Sequence, residues 1–423
     1  MITRLVRNML SDQRDDYVFY ASDDKALFVD PKKEFGLYIH IPFCKSMCPY
    51  CPYNKVFYKK ELATQFKDAI VNEIKRYNAK LGQRQFYSLY VGGGTPTLLI
   101  DELKDIVNEL KRLFILDGPL AVETVPSDIT DNKVRKLKEI GFDYISLGVQ
   151  SFNDKYLSLI GRNHNADETK KAIELISQHR FKLFNIDLIF AFPEQNLKEL
   201  QSDLIECLSF NPDQITCYPL FTFPYTAVGK YLKIKKLKMP PIKQRKAMYY
   251  LISDFFKKNS YYQSSVWGFN RIKKESYSSV TRDYYIGLGA GAASYTGEYF
   301  YFNTFSLKEY MKTLNQKLPI ALKMNVSDRM SRLFWLYWRF YETRIPFDKY
   351  KQEFQSDIKK DFGFIFKLIE RMNWADKNGP SELKLNKIGC HWIHLIQNQY
   401  ALNYVNKIWP ICQKIPWPQK IPL

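Results

Sequence analysis

The stretch GLYIHIPFCKSMCPYC, residues 36–51, places three cysteines directly after a short apolar run. The run GLYIHI (36–41) has the length and the β-branched and aromatic content of a buried strand. Cys44, Cys48 and Cys51 follow it in one loop with the spacing C-x3-C-x2-C. Thiolate is the natural ligand of an iron–sulfur cluster, and three thiolates in one loop would leave the fourth iron of a cubane open.

Outward from this loop, short apolar runs alternate with longer amphipathic segments up to about residue 220. The strand-like runs are GLYIHI (36–41), FYSLYV (86–91), LAVETV (120–125), YISLGV (144–149), FNIDLIF (184–190) and QITCYPL (214–220). Helical patterns lie between them at 63–77, 100–114, 131–141, 166–180 and 197–210. The alternation predicts parallel strands with right-handed helical crossovers, and six such units indicate an α/β fold with a partial (β/α)6 TIM-type barrel.

The unusual residues of this region stand where the predicted strands end. The cysteine loop follows the first strand, residues 92–97 follow the second, and Glu123 lies near the end of the third. Gln150 ends the fourth strand and Asp187 lies on the fifth. Because the chemistry of such barrels gathers at the C-terminal ends of the strands, we expect these residues to share one site.

After Pro224 the chain becomes basic, aromatic and irregular, and then Gly-rich in IGLGAGAASYTG (286–297). From about residue 328 the pattern is mostly helical. We therefore expect four parts, which are an N-terminal extension (1–30), the core barrel (31–262), a connecting Gly-rich segment (263–327) and a helical C-terminal accessory domain (328–423).

The spacing of the cysteines separates a cluster from two simpler explanations. Seven cysteines, an odd number, argue against a secreted disulfide framework. A closed zinc site would need a second pair of ligands, but no second CxxC follows, and Cys390, His391 and His394 lie more than 300 residues away in a helical pattern. Cys207 and Cys217 stand among apolar residues and are typical of core packing.

Further motifs follow in order along the chain: GGGTPT (92–97), LGVQSF (147–152), IGRNH (160–164), IDLIFAFPEQ (186–195) and GLGAGAAS (287–294). Together with LYIHIPFCKSMCPYC, this set resembles the oxygen-independent coproporphyrinogen III oxidase-like branch of the radical S-adenosylmethionine (radical SAM) superfamily. The resemblance covers residues 36 to 294. It implies a [4Fe–4S] cluster and S-adenosyl-L-methionine as cofactors, and cleavage of the latter to a 5′-deoxyadenosyl radical that abstracts hydrogen.

The resemblance also implies roles for single residues. Cys44, Cys48 and Cys51 match the cluster ligands, and Tyr38 and Glu123 are carried over as catalytic residues. The matching cofactor-binding positions are Gly93, Gly94, Thr95, Glu123, Gln150, Arg162 and Asp187. An Arg suits a carboxylate because its guanidinium donates in a fixed fork. Without this context the glycines could form an ordinary turn, Glu123 and Asp187 could be solvated carboxylates, and Tyr38 could pack in the barrel.

Some positions depart from the family pattern and leave the substrate open. The family's oxidase carries a further cysteine where Tyr53 stands here, and a Phe-Gln-Gly-Tyr stretch where this chain has SSVWGFNR (264–271). One hypothesis is hydrogen abstraction from a tetrapyrrole, as in porphyrin biosynthesis, or from another large anionic or aromatic substrate. Alternatives are a radical SAM methyltransferase, a haem-binding chaperone of the same family, and a nucleic-acid-associated protein with a structural cluster, which would not need Gly93, Arg162 or Asp187.

The formal net charge is +19, which fits either an acidic partner or a biased composition. Residues 230–246 form the densest basic stretch and contain no acidic residue. The mechanism implied by the resemblance requires a flavodoxin or ferredoxin as electron donor, and no specific nucleic acid is expected. No run approaches the roughly 20 apolar residues of a membrane-spanning helix, and we expect a cytoplasmic protein.

Overall fold

The computed structural model describes residues 17–22, 29–228, 237–271, 278, 283–376, 379 and 381–423, and its centre is a run of parallel strands. Seven strands belong to this run: β1 (Phe35–Ile41), β2 (Gln85–Gly93), β3 (Leu120–Thr124), β4 (Tyr144–Gln150), β5 (Leu183–Phe190), β6 (Gln214–Pro219) and β7 (Tyr285–Leu288). Their spatial order is β6-β5-β4-β3-β2-β1-β7, and every neighbouring pair is parallel.

The first six strands are the six that the sequence predicts, in the same chain order, so the predicted partial barrel is confirmed. The seventh strand comes from the Gly-rich segment and pairs with β1 on the side away from β2. Gly287 on this strand permits the close approach of the segment that follows it, because a side chain there would meet the backbone oxygen of Ala293 at 2.0 Å.

Helices connect the strands as crossovers on the outside of the barrel. Their bounds are Lys60–Leu81, Ile100–Leu113, Asp131–Ile140, Asp154–Leu159, Ala166–Gln178 and Leu197–Ser209, with short 3₁₀ turns at Pro96–Leu99 and Pro126–Asp128. Asn165 and Asn196 begin two of these helices with complete capping boxes, which satisfy the first backbone N–H groups. The helix Ile100–Leu113 buries Leu103, Ile106 and Leu110 along one face, the spacing of a single apolar stripe.

Alternate residues on the strands divide the barrel into an apolar outside and a polar inside. Ile145 and Leu147 on β4 are buried in the main core. Ser146 lies between them and faces the other way, opposite Asn185 on β5, which in turn is opposite Gln214 on β6. The barrel interior therefore carries hydrogen-bonding groups on neighbouring strands.

The sheet continues past both ends of the parallel run with antiparallel strands. Beyond β7 it adds Ala293–Tyr295, Tyr299–Asn303, Ile320–Asn325, Val18–Ala21 and Lys420–Pro422, and beyond β6 it adds Gly268–Asn270 and Tyr262–Gln263. Smaller strands pair as Phe43–Cys44 with Val56–Phe57 and as Arg344–Pro346 with Glu382–Lys384, and Ile115–Leu116 pairs with β2.

The remaining helices are Ile242–Lys258, Leu307–Thr313, Asp328–Tyr341, Phe347–Phe354, Ile358–Arg371 and Lys387–Cys412, so the C-terminal part is mostly helical as predicted. The division into four parts stays a prediction. Most of the N-terminal extension, and residues 230–236 of the basic stretch, lie outside the described residues. None of the described helices combines the length and the apolar character that crossing a bilayer requires.

Candidate functional site

A cavity of about 800 Å³ opens at the C-terminal ends of the barrel strands. That size falls within the range of small-molecule sites in proteins. The predicted site residues among its lining residues are Cys44, Cys48, Cys51, Gly93, Gly94, Thr95, Glu123, Gln150, Arg162 and Asp187. Ten of the eleven predicted site residues thus face one cavity, and Tyr38 is the exception.

The cysteine loop is held by its own backbone and by one lysine. The strand Phe43–Cys44 pairs with Val56–Phe57, so the loop closes on itself. The Lys55 ammonium donates to the carbonyl oxygens of Cys48 at 2.9 Å and of Cys51 at 3.2 Å. All three cysteines are half-buried and none forms a disulfide. The loop therefore presents three thiols to the cavity from a fixed backbone.

The glycine segment after β2 lies directly against this loop. The Gly94 N–H donates to the Ile41 oxygen and the Thr95 N–H donates to the Phe43 oxygen, each at 2.7 Å. A side chain on Gly94 would meet the Phe43 oxygen at 2.4 Å, and Gly93 has a φ of +112°. Only glycine permits this approach of one backbone to another.

Burial and mutual repulsion work against charge on the cysteines. Burial raises the pKa of Cys44 to about 11, and the neighbouring Cys51 acts in the same direction. Burial also raises the pKa of Cys51, although Lys55 partly offsets the effect. Because a coordinated thiol is deprotonated by the charge of its metal, these three groups become thiolates when a cation lies among them.

Two carboxylates line the inner part of the cavity. Tyr90 donates a hydrogen bond to Glu123 Oε1, and the Gly93 N–H donates to Oε2 at 3.0 Å. Asp187 accepts from Ser146 at 3.0 Å and from Asn185 at 2.8 Å. Burial raises the pKa of Glu123 to about 7 and that of Asp187 to about 6. Both carboxyl groups are therefore harder to ionise than usual, and a cation bound beside them would favour their negative forms.

Arg162 lies on the other side of the cysteine loop. Its Nη2 donates to the Gly148 oxygen at 2.6 Å and its Nη1 donates to Cys48 Sγ at 3.7 Å. Its Nε is buried and has no hydrogen-bond partner among the described residues. Gln150 lies nearby in the left-handed region, with a φ of 72°, and its Oε1 accepts from Tyr218. Residues held in such strained backbone cluster at functional sites.

Tyr38 does not line the cavity. Its hydroxyl is 2.8 Å from His40 Nδ1, and His40 Nε2 is 2.8 Å from the Asn54 oxygen. Burial lowers the pKa of His40 to about 4, so the ring is neutral, accepts from Tyr38 and donates to Asn54. Tyr38 thus supports the base of the cysteine loop from outside the cavity.

No three His, Cys, Asp or Glu side chains in the described part of the chain converge closely enough to share a single metal ion. The convergence of ligands that zinc requires is therefore not found in those residues. An iron–sulfur cluster requires a different arrangement, in which the cysteines lie farther apart because each binds its own iron at a separate corner.

The sequence of residues 38–205 matches the model of the radical SAM superfamily. The haem chaperone HemW of Bacillus subtilis (strain 168) is 32% identical over 287 residues, which cover 66% of this chain and 76% of the relative. The oxygen-independent coproporphyrinogen III oxidase of Pseudomonas aeruginosa is 26% identical over 360 residues, or 79% of this chain and 78% of the relative.

This chain belongs to the radical SAM family of haem chaperones and oxygen-independent coproporphyrinogen III oxidases.

The structure of coproporphyrinogen III oxidase HemN from Escherichia coli agrees with this family in fold. It superimposes with a TM-score of 0.74 at 22% identity and covers 88% of this chain and 91% of its own. As a radical SAM protein, the chain has a [4Fe–4S] cluster and S-adenosylmethionine as its cofactors. The three thiols in one loop, the close glycine backbone and the buried, unpartnered Arg162 Nε fit that pair of groups.

Several lining residues were missed by the sequence analysis of this radical SAM protein. Those that line the cavity are Tyr90, Gln214, Thr216, Tyr218, Lys55 and Trp267. Ser146 and Asn185 were missed as well, and they lie behind the lining, where they donate hydrogen bonds to Asp187. Six of all these missed residues occupy alternate positions on β2, β4, β5 and β6, where polar groups or tyrosines interrupt apolar strands. Since alternate residues face the same side of a strand, that period could have identified them. Lys55 and Trp267 lie in loops, where no such period applies.

Proposed function

We propose that this chain is a radical SAM enzyme that abstracts hydrogen from a large, anionic or aromatic substrate, with a tetrapyrrole as the first candidate. The observation that carries the proposal is that three loop cysteines, a glycine backbone, two half-buried carboxylates and an incompletely bonded arginine line one cavity. A structural cluster alone would need only the cysteines.

Cys44, Cys48 and Cys51 would hold the cluster. When bound, the reduced cluster would supply one electron to the sulfonium of S-adenosylmethionine, the chemistry that breaks a sulfur–carbon bond, releases methionine and lets a substrate C–H hydrogen be removed. The protein's part is to fix the groups and exclude water. Lys55 holds the loop through the carbonyl oxygens of Cys48 and Cys51, and Gly94 and Thr95 tie β2 to the same loop.

The remaining predicted residues would bind S-adenosylmethionine by charge and hydrogen bonding. Arg162 is a half-buried cation with a spare buried donor, Nε, and suits the methionine carboxylate. Asp187 and Gln150 suit the ribose hydroxyls, since carboxylate oxygens accept and the Gln150 amide nitrogen can donate. Glu123 and Asp187 would also favour the positively charged sulfonium, because their carboxyl groups are half-buried, where charges interact more strongly than in water.

The outer part of the cavity would receive the substrate. Its wall includes Phe221, Trp267 and Tyr341, whose rings contact one another at centroid distances of 5.4 and 5.5 Å. Lys349 lines the same cavity and carries positive charge, and so does Arg344, which is paired there with Glu382 at 2.6 Å. An aromatic wall with cations beside it fits a flat ligand that bears carboxylates.

The test uses anaerobic, cluster-reconstituted protein reduced with dithionite. We expect 5′-deoxyadenosine and methionine to form from S-adenosylmethionine, and their rate to rise when coproporphyrinogen III is added. A Cys48→Ser variant is the control and should form neither product. Absence of 5′-deoxyadenosine from the reconstituted wild-type protein would overturn the proposal.

Haem binding without turnover is the second candidate function. It is favoured by HemW of B. subtilis, a relative whose name is haem chaperone, and by Tyr53 at the position where the family's oxidase carries a further cysteine. Here we expect one haem per chain, followed by its absorbance, and no consumption of coproporphyrinogen III. Turnover of coproporphyrinogen III would decide for the enzyme, and stoichiometric haem capture without turnover would decide for the chaperone.

A further inference from the structure

Trp267 projects from the loop between two short strands into the wall of the cavity. Its ring contacts Phe221 on one side and Tyr341 on the other, both edge to face. Any ligand in the outer part of the cavity therefore meets an aromatic surface whose shape depends on the orientation of this indole.

The indole nitrogen is bonded to a residue of the C-terminal helix Lys387–Cys412. Trp267 Nε1 lies 3.0 Å from His394 Nδ1, across 127 residues of sequence. An indole N–H can only donate, so His394 must present an unprotonated Nδ1. Burial, His391 and Arg245 together lower the pKa of His394 to about 3, which keeps the ring neutral and its acceptor available.

His394 is itself fixed from the opposite side. The Tyr249 ring stacks on it at a centroid distance of 5.6 Å and an interplanar angle of 3°. The Tyr249 hydroxyl donates to the Val266 oxygen at 2.9 Å and accepts from Gln263 at 3.0 Å, and Gln263 lines the cavity. The histidine thus lies between a tyrosine bonded to the loop and the tryptophan of the same loop.

We infer that His394 is a positioning residue, which sets the orientation of Trp267 and through it the shape of the substrate wall, and that Trp267 is a ligand-contacting residue. The inference rests on the proposed function for the identity of the ligand. The contact between Trp267 and His394 does not depend on the proposed function, because this hydrogen bond joins two residues of the protein. His394 contacts neither the cysteine loop nor the predicted S-adenosylmethionine residues in any hydrogen bond or ring contact of the described residues.

The first experiment measures the environment of the Trp267 indole directly. The holo-protein is labelled with 5-fluorotryptophan, and the Trp267 fluorine resonance is assigned as the one lost in Trp267→Phe. We expect His394→Phe, which keeps a ring but removes the acceptor, to shift or split this resonance, and His394→Gln, which restores an acceptor, to return it toward the wild-type position. Cys412→Ala is the control, since Cys412 is also buried on that helix but packs in a separate apolar cluster with Phe302 and Ile408.

The second experiment measures how strongly the ligand binds. For haem and for coproporphyrinogen III, we expect His394→Phe to weaken binding or raise KM about three- to tenfold, the size of one lost hydrogen bond in a fixed wall. Formation of 5′-deoxyadenosine without substrate should stay within about twofold of wild type. Trp267→Phe together with His394→Phe should be no worse than Trp267→Phe alone, because the two changes remove one interaction.

The outcomes separate the two proposals. If the Trp267 resonance is unchanged in His394→Phe, or if Cys412→Ala moves it equally, the positioning role is overturned. If the wild-type protein binds neither haem nor coproporphyrinogen III, the proposed ligand is wrong, while the fluorine resonances still decide the role of His394.

Discussion

Arg162 donates through Nη1 to the sulfur of Cys48 at 3.7 Å, and through Nη2 to the Gly148 oxygen at 2.6 Å. The guanidinium thus joins the cysteine loop to the end of β4. Its third nitrogen, Nε, stays without a partner among the described residues. A cation with a buried donor left open in this way is expected to hold an anionic ligand next to the cluster loop.

Replacement of Arg162 should therefore weaken S-adenosylmethionine binding more than cluster assembly. We expect Arg162→Lys to lower affinity about tenfold and Arg162→Gln to lower it further, because lysine keeps the charge but loses the planar fork. Anaerobic equilibrium dialysis measures the affinity, and iron analysis measures the cluster. Arg135→Gln removes an exposed arginine that pairs with Asp131 and should change neither. Unchanged affinity in Arg162→Gln would remove Arg162 from the cofactor site.

Only the cysteines of the loop, and not the buried cysteines elsewhere in the chain, should be required for iron binding. Cys48→Ser is expected to reduce bound iron from about four atoms per chain to well below one, since serine does not replace a thiolate ligand for iron. Cys412→Ala is the control, because Cys412 is buried in a separate apolar cluster with Phe302 and Ile408. Iron and sulfide analysis after anaerobic reconstitution provides the measurement. Equal iron in both variants would contradict the assignment of the loop.

Gly94→Ala should disturb the contact between β2 and the cysteine loop. The added carbon would lie 2.4 Å from the Phe43 oxygen, where backbone cannot yield cheaply. We expect a loss of about 1–3 kcal/mol in the free energy of unfolding, together with reduced cluster retention. Gly363→Ala has no heavy atom within 4 Å and lies in the helix Ile358–Arg371, so it should be neutral or stabilising. Denaturant titration of the two variants compares them, and similar losses would refute the steric argument.

Glu73 should make the protein less stable as pH rises. It is fully buried, and it accepts hydrogen bonds from the Gly289 N–H, Asn303 and Tyr310. Burial raises the pKa of Glu73 from 4.5 to about 7. The folded state then holds a proton that the unfolded state releases between about pH 4.5 and pH 7, so folding stability falls across that interval.

The stability advantage of the wild type over Glu73→Gln is therefore expected to shrink by up to about 3 kcal/mol between pH 5 and pH 8, since each pKa unit corresponds to about 1.4 kcal/mol. Urea unfolding at both pH values measures this difference. Glu61→Gln, an exposed change on the same helix, should show no such trend. A constant difference between wild type and Glu73→Gln would mean that Glu73 is ionised in the folded protein at both pH values.

Most of the fold could be predicted from local patterns in the sequence. The six strands and the crossover helices follow from periods of two and 3.6 residues, which short segments display on their own. Strand β7 was not predicted, because its pairing with β1 joins residues about 250 positions apart and Gly287 gives no apolar signal. The same limit applies to Trp267 and His394, whose contact depends on the packing of the C-terminal helix against the cavity wall.

The candidate site was predicted from motif order, and ten predicted residues do lie around one cavity. The motif could not show how each side chain is used. Tyr38 is adjacent to the cysteine loop in sequence, yet its hydroxyl is bonded to His40 away from the cavity. Tyr90 was treated only as part of an apolar run, but its hydroxyl holds Glu123. Orientation of this kind depends on neighbours from other strands.

The pairing of β7 with β1 has a consequence for how the protein is made. The first strand of the barrel leaves the ribosome early, but one of its two edges has no neighbour until Tyr285–Leu288 has been synthesised. Any fragment that stops before Tyr285 would expose that edge to other chains, which favours aggregation. An expressible core of this barrel must therefore extend past Leu288, well beyond the last crossover helix.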